Sequence, residues 1–92
     1  MIRSFRHKGL KRLFEHGDSS KIRADHTVRV TDVLAMLNRA QAVGDLDLPG
    51  YRLHALKGDR KGYWSMTISG NWRIVFRFEN GEALEIDLVD YH

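Results

Sequence analysis

Three stretches decide the fold: Tyr63-Trp64-Ser65-Met66-Thr67-Ile68, Trp72-Arg73-Ile74-Val75-Phe76-Arg77-Phe78 and Leu84-Glu85-Ile86-Asp87-Leu88. In each, apolar residues recur at every second position, the period of a strand with one buried face. Tyr51, Leu53 and Ala55, alternating with Arg52 and His54, extend the pattern to a fourth strand. Strands in succession joined by short turns pair antiparallel, one face dry and the other wet. His54, Tyr63, Arg73 and Arg77 fall on the wet face.

Upstream of Pro49-Gly50, the turn between two halves, the period changes to that of helices. After an extended start at Ile2 to Phe5, Leu10, Leu13 and Phe14 share one face of a short helix with Gly17 as its C-cap. Val30, Val33, Leu34 and Leu37 share the face of a longer helix, with Asp25 as N-cap and Gly44 as stop. The fold class is therefore α+β, with N-terminal helices packed on one face of an antiparallel sheet. At 92 residues, 42% hydrophobic and 10% aromatic, the chain has material for a single domain spanning 1–92.

Glu79-Asn80-Gly81 governs the register of the last hairpin. A two-residue Asn80-Gly81 loop would place Phe76 opposite Glu85 and mix core with solvent faces, so the pattern predicts a three-residue loop instead. That loop pairs Phe76 with Leu84, Ile74 with Ile86 and Arg73 with Asp87, making Asp87 a cross-strand partner rather than a catalyst. Trp64 and Trp72 are assigned to the core, and His7, His16 and His26 to the solvent-facing surface of the helices.

The net charge of +3 conceals a polarity along the chain: residues 1 to 78 carry all fifteen bases against seven of the twelve acids, an excess of eight. Such an excess suits a polyanion, and nucleic acid fits better than an acidic membrane, since no apolar run approaches a spanning length. Arg6, Lys8, Lys11, Arg12, Lys21 and Arg23 form a basic N-terminal region that reads as a soluble helix surface or, with the family resemblance given below, equally as a ribosome contact. The absence of cysteine excludes thiol catalysis, disulfides and Cys-ligated zinc. No apolar segment follows the basic Met1–Arg6 start, so no secretory signal is read and the cytoplasm is the expected compartment.

A wet basic face carrying Tyr and His suits RNA, with cations on phosphates and a ring stacking on an unpaired base. Cleavage of RNA by its own 2′-hydroxyl needs a base, an acid and cations for the charge that develops on phosphorus. His54, Asp90, Tyr91 and His92 can move protons, and Lys57 and Arg73 can supply charge. Alternation carries Tyr91 to the face of Arg73, whereas the directions of Asp90 and His92 cannot be read. Taken alone, the loop Lys57-Gly58-Asp59-Arg60-Lys61-Gly62 reads as a solvated turn.

Tyr51 through Ser65, followed by Asn71-Trp72-Arg73-Ile74, Asp90-Tyr91-His92 and the opening Ile2 through Leu10, strongly resembles the HigB family of toxins in the RelE superfamily, over essentially the whole chain. The resemblance implies a curved antiparallel sheet of the microbial RNase type and an active site at His54, Lys57, Arg73, Asp90, Tyr91 and His92, with no cofactor and no metal. It further implies ribosome-dependent cleavage of mRNA in the aminoacyl site and neutralisation by a HigA-type helix-turn-helix antitoxin. Operator DNA would be bound by the toxin–antitoxin pair. The competing class is a non-catalytic nucleic-acid-binding module, or a corepressor acting with a helix-turn-helix partner.

Overall fold

The computed structural model describes residues 1–91. Helices α1 (Lys8–His16) and α2 (Thr27–Arg39) precede strands β1 (His54–Ala55), β2 (Tyr63–Ser69), β3 (Trp72–Glu79) and β4 (Glu82–Asp90). The strands form one antiparallel sheet in the order β1-β2-β3-β4. The predicted α+β layering holds. Leu10 of α1 and Val30, Val33, Leu34 and Leu37 of α2 are buried in one cluster with Met66, Ile68, Ile74, Phe76 and Ile86 of the sheet, and Trp64 and Trp72 pack at its margin. The extended start bridges in parallel to β4, Ile2 to Ala83 and Phe5 to Ile86.

The ends of α1 follow from local chemistry. His7 Nδ1 accepts a hydrogen bond from the Leu10 amide at 3.1 Å, and Gly17 stops the helix at φ 68° with its amide on the Leu13 carbonyl at 2.9 Å. Both ends of α2 differ from expectation. Asp25 lies inside a 3₁₀ turn, Ala24–His26, where its carboxylate pairs with Arg23 at 2.8 Å instead of capping the helix. The helix stops at Arg39, ahead of Gly44, because Asp45 Oδ2 accepts from the Gln41 and Ala42 amides that a longer helix would turn back on itself.

Two further expectations are corrected. His26 is buried at 2% exposure, packed edge-on against the Trp72 ring with centroids 5.4 Å apart, and is not on the surface. Phe14, assigned to the core face of α1, is 39% exposed and tilts against Phe5.

The last hairpin overturns the predicted register. Glu79 pairs with Glu82, Phe78 with Ala83 and Arg77 with Leu84, so the loop is the two-residue Asn80-Gly81 turn, with both residues at positive φ (52° and 77°). The conflict of faces is resolved two residues on. Between the Arg77–Leu84 and Val75–Asp87 pairs, Glu85 and Ile86 both stand opposite Phe76, a bulge in which Glu85 takes φ 53°. The extra residue returns Ile86 and Leu88 to the core face but leaves Leu84 on the other side, opposite Arg77. It also moves Asp87 from Arg73 to Val75 and places Val89 opposite Arg73.

Candidate active site

The face of the sheet turned away from the helices carries His54, Ser65, Thr67, Tyr63, Arg73, Val75 and Arg77 by register: His54 opposes Ser65, Thr67 opposes Arg73, and Tyr63 opposes Arg77. The two ends of this face differ. At the Asn80-Gly81 end, the bulged Glu85 accepts from the Tyr63 hydroxyl and from Arg77 Nη1, each at 3.2 Å, and Arg77 also pairs with Glu79. Tyr63 and Arg77, expected as free RNA-binding groups, are thus tied to carboxylates.

At the opposite end lies a cavity of about 320 Å³ lined by His54, Arg73 and Tyr91 together with Arg52, Leu53, Leu56, Ser65 and Thr67. Arg73 Nη1 donates to the Gly70 carbonyl at 2.6 Å and to the Trp72 carbonyl at 3.3 Å, which fixes the guanidinium without neutralising it. The Tyr91 amide donates to the Asn71 carbonyl at 2.7 Å, tying the chain after β4 to the β2–β3 turn and holding the ring at the cavity edge. Thr67 Oγ1 is buried and makes no hydrogen bond among the described residues, so a polar group lies in the wall with bonding capacity to spare.

Of the six residues expected in the site, the structure brings His54, Arg73 and Tyr91 together. Lys57 precedes the 3₁₀ turn Gly58–Arg60 and does not line the cavity; Asp90 pairs opposite Trp72 and does not line it either. His92 lies outside the described residues. Arg60, which belongs to the loop read as a solvated turn, has its guanidinium carbon 5.9 Å from the Tyr91 ring centroid, a cationic cover over the aromatic. Arg52, Ser65 and Thr67 were passed over in the sequence reading, although the period-two pattern already put Arg52 in phase with His54 and both hydroxyls in phase with Tyr63.

Chemically, the cavity offers an imidazole and a phenol as proton carriers and fixed guanidinium charge, with no carboxylate among the described residues of its wall. The carboxylates whose acidity is displaced lie elsewhere. Asp18 is held well below the usual range by the Ser20 backbone and side-chain hydrogen bonds and by Arg12, and Asp25 is lowered by Arg23. Among the described residues no three His, Asp or Glu side chains are placed to hold a metal ion, and no helix is long and apolar enough to cross a membrane.

Residues 3–92 match the family model described as the RelE-like toxin of the type II toxin–antitoxin system HigB. The chain belongs to the HigB-like toxin family. A HigB relative, the Endoribonuclease HigB of Proteus vulgaris, is 50% identical over 92 residues and all of both chains. The Toxin HigB-1 of Vibrio cholerae serotype O1 is 38% identical over 52 residues, 55% of each chain. Two solved structures of the Staphylococcus aureus YoeB–YefM complex, the first described as a heterotetrameric toxin–antitoxin assembly, share the fold. Their TM-scores are 0.63 and 0.59, at 16% and 15% identity, over all of this chain and 98% of theirs. As a HigB-like toxin of a type II system, the protein has an antitoxin as its partner.

Proposed function

We propose that this HigB-like chain, acting as one domain, is an endoribonuclease that cuts mRNA in the aminoacyl site of the ribosome and so arrests translation and growth. The observation that carries the reading is the convergence of His54, Arg73 and Tyr91 on one cavity whose described lining holds no carboxylate, in a chain half identical throughout to a named endoribonuclease.

The chemistry is a transesterification. A base takes the proton of the 2′-hydroxyl, the 2′-oxygen bonds to the adjacent phosphorus, and the bond from phosphorus to the 5′-oxygen breaks as an acid protonates that oxygen. The products end in a 2′,3′-cyclic phosphate, or a 3′-phosphate after hydrolysis, and a 5′-hydroxyl. On the family resemblance His54 and His92, with Asp90, share the proton transfers, and a role spread over several groups needs no single owner of the base step; of the three, His54 lines the cavity. Arg73 and Lys57 hold and neutralise the phosphate, and Tyr91 stacks on or positions the nucleotide. The antitoxin on this reading is of the HigA type with a helix-turn-helix, the pair binds operator DNA, and the toxin acts in the cytoplasm.

The test is mRNA cleavage by purified protein with and without programmed ribosomes, mapped by primer extension. Cuts within the aminoacyl-site codon only when ribosomes are present are expected. Equal cutting of free RNA makes the protein a ribosome-independent ribonuclease, and RNA or DNA binding with no cutting makes it a binding module.

A further inference from the structure

Arg52 combines two properties found together nowhere else in the described chain. It is one of three non-glycine residues at positive φ, at 51°, and it lines the cavity that holds His54, Arg73 and Tyr91. A side chain on Cβ makes the left-handed region unfavourable, so a residue stays there only where its surroundings hold it.

The surroundings are explicit. Arg29 of α2 donates from Nη2 to the Gly50 carbonyl and from Nε to the Thr67 carbonyl at 3.1 Å, and its guanidinium carbon lies 4.1 Å from the Tyr51 ring centroid. The Tyr51 carbonyl accepts from the Thr67 amide at 2.7 Å, and two residues later His54 pairs with Ser65. The chain is thus fastened to β2 at Tyr51, just before Arg52, and at His54, two residues after it, and the left-handed turn between the fastenings sets Arg52 in the cavity wall. Glycine or asparagine would make this turn with less strain.

Charge gives a second, independent line. Arg3, Arg12, Arg23 and Arg77 pair with carboxylates, and Arg29 is used on carbonyls. Arg52 has no carboxylate partner among the described residues, and the described residues of the cavity wall it shares with Arg73 include no acid. Two guanidiniums around one concavity, uncompensated by any carboxylate among the described residues of its wall, make an anion site.

We propose that Arg52 is a second phosphate-binding residue of the active site: it holds the RNA phosphodiester next to the one being cut, while Arg73, anchored deeper by the Gly70 carbonyl, takes the scissile phosphate. The proposal rests on the endoribonuclease reading above. Arg52 is exposed at the rim, so it grips the strand equally before and during the reaction, and its loss appears mainly in KM.

The experiment measures kcat and KM for mRNA cleavage on programmed ribosomes, and thermal melting, for wild type, Arg52→Asn, Arg52→Gly and Arg52→Lys. Asn and Gly tolerate the left-handed backbone but remove the charge; Lys keeps the charge on the same strained residue. The expected result is a fall in kcat/KM of about ten- to a hundredfold for Asn and Gly, carried mainly by KM, with melting temperatures at or above wild type and most of the activity recovered by Lys. A kcat/KM for Asn or Gly within about twofold of wild type overturns the proposal, as does a Lys variant no better than Gly. A wild-type protein that cuts no RNA overturns the endoribonuclease reading instead, and the wild-type reaction alone reveals it.

Discussion

The two ends of the open sheet face carry the same side-chain types and hold them differently. Each has an arginine on β3, a tyrosine nearby and further cations in reach. At the Asn80-Gly81 end, the bulge turns Glu85 onto Tyr63 and Arg77, and the arginine becomes part of an internal ion-pair network. At the other end Arg73 is held by backbone carbonyls, which orient a guanidinium and leave its charge for an incoming anion. A basic, aromatic surface is thus not a site by composition. What the neighbouring backbone does with each charge decides it, and here one extra residue in β4 separates the two outcomes.

The largest effect that would break this comparison comes from the open end. His54→Ala and Tyr91→Ala are each expected to lower mRNA cleavage by about a hundredfold or more, with melting temperature little changed because His54 and Tyr91 are exposed. Retained cleavage in both variants would place the chemistry elsewhere on the chain. A smaller effect sharpens the contrast from the closed end. Glu85→Ala frees Tyr63 and Arg77, and the loss of this half-exposed network should cost about 0.5–1 kcal/mol of stability by chemical denaturation. The same variant should bind RNA severalfold more tightly at low salt, with the gain fading as salt rises. Unchanged affinity would mean that Glu79 alone suffices to neutralise Arg77.

The layering was legible because it depends only on period: 3.6 in the first half and 2 in the second distinguish helices from strands whatever the exact pairing. Register was not, because the Asn80-Gly81 loop, dismissed for bringing Phe76 against Glu85, is the loop the chain uses. The mismatch is absorbed by a bulge at a glutamate, and no residue-type signal marks a left-handed Glu85. The error carried forward to Asp87, assigned to Arg73 but paired with Val75. The grouping of His54, Arg73 and Tyr91 around one cavity was legible, because strand parity and the family motif agree there. It was less so at Lys57, whose position depends on the conformation of a loop, and His92 lies outside the described residues. Burial of His26 was hidden because it sits in a 3₁₀ turn, where helical periodicity says nothing about which way a side chain faces.

The central claim, that catalysis belongs to the carbonyl-held arginine and not to the carboxylate-held one, is tested most directly by comparing Arg73→Ala with Arg77→Ala in a single mRNA cleavage assay, each at a temperature well below its own melting point. The account predicts a loss of about a hundredfold or more for Arg73→Ala and a rate within about threefold of wild type for Arg77→Ala. A rate for Arg77→Ala as low as that for Arg73→Ala, or lower, would contradict it.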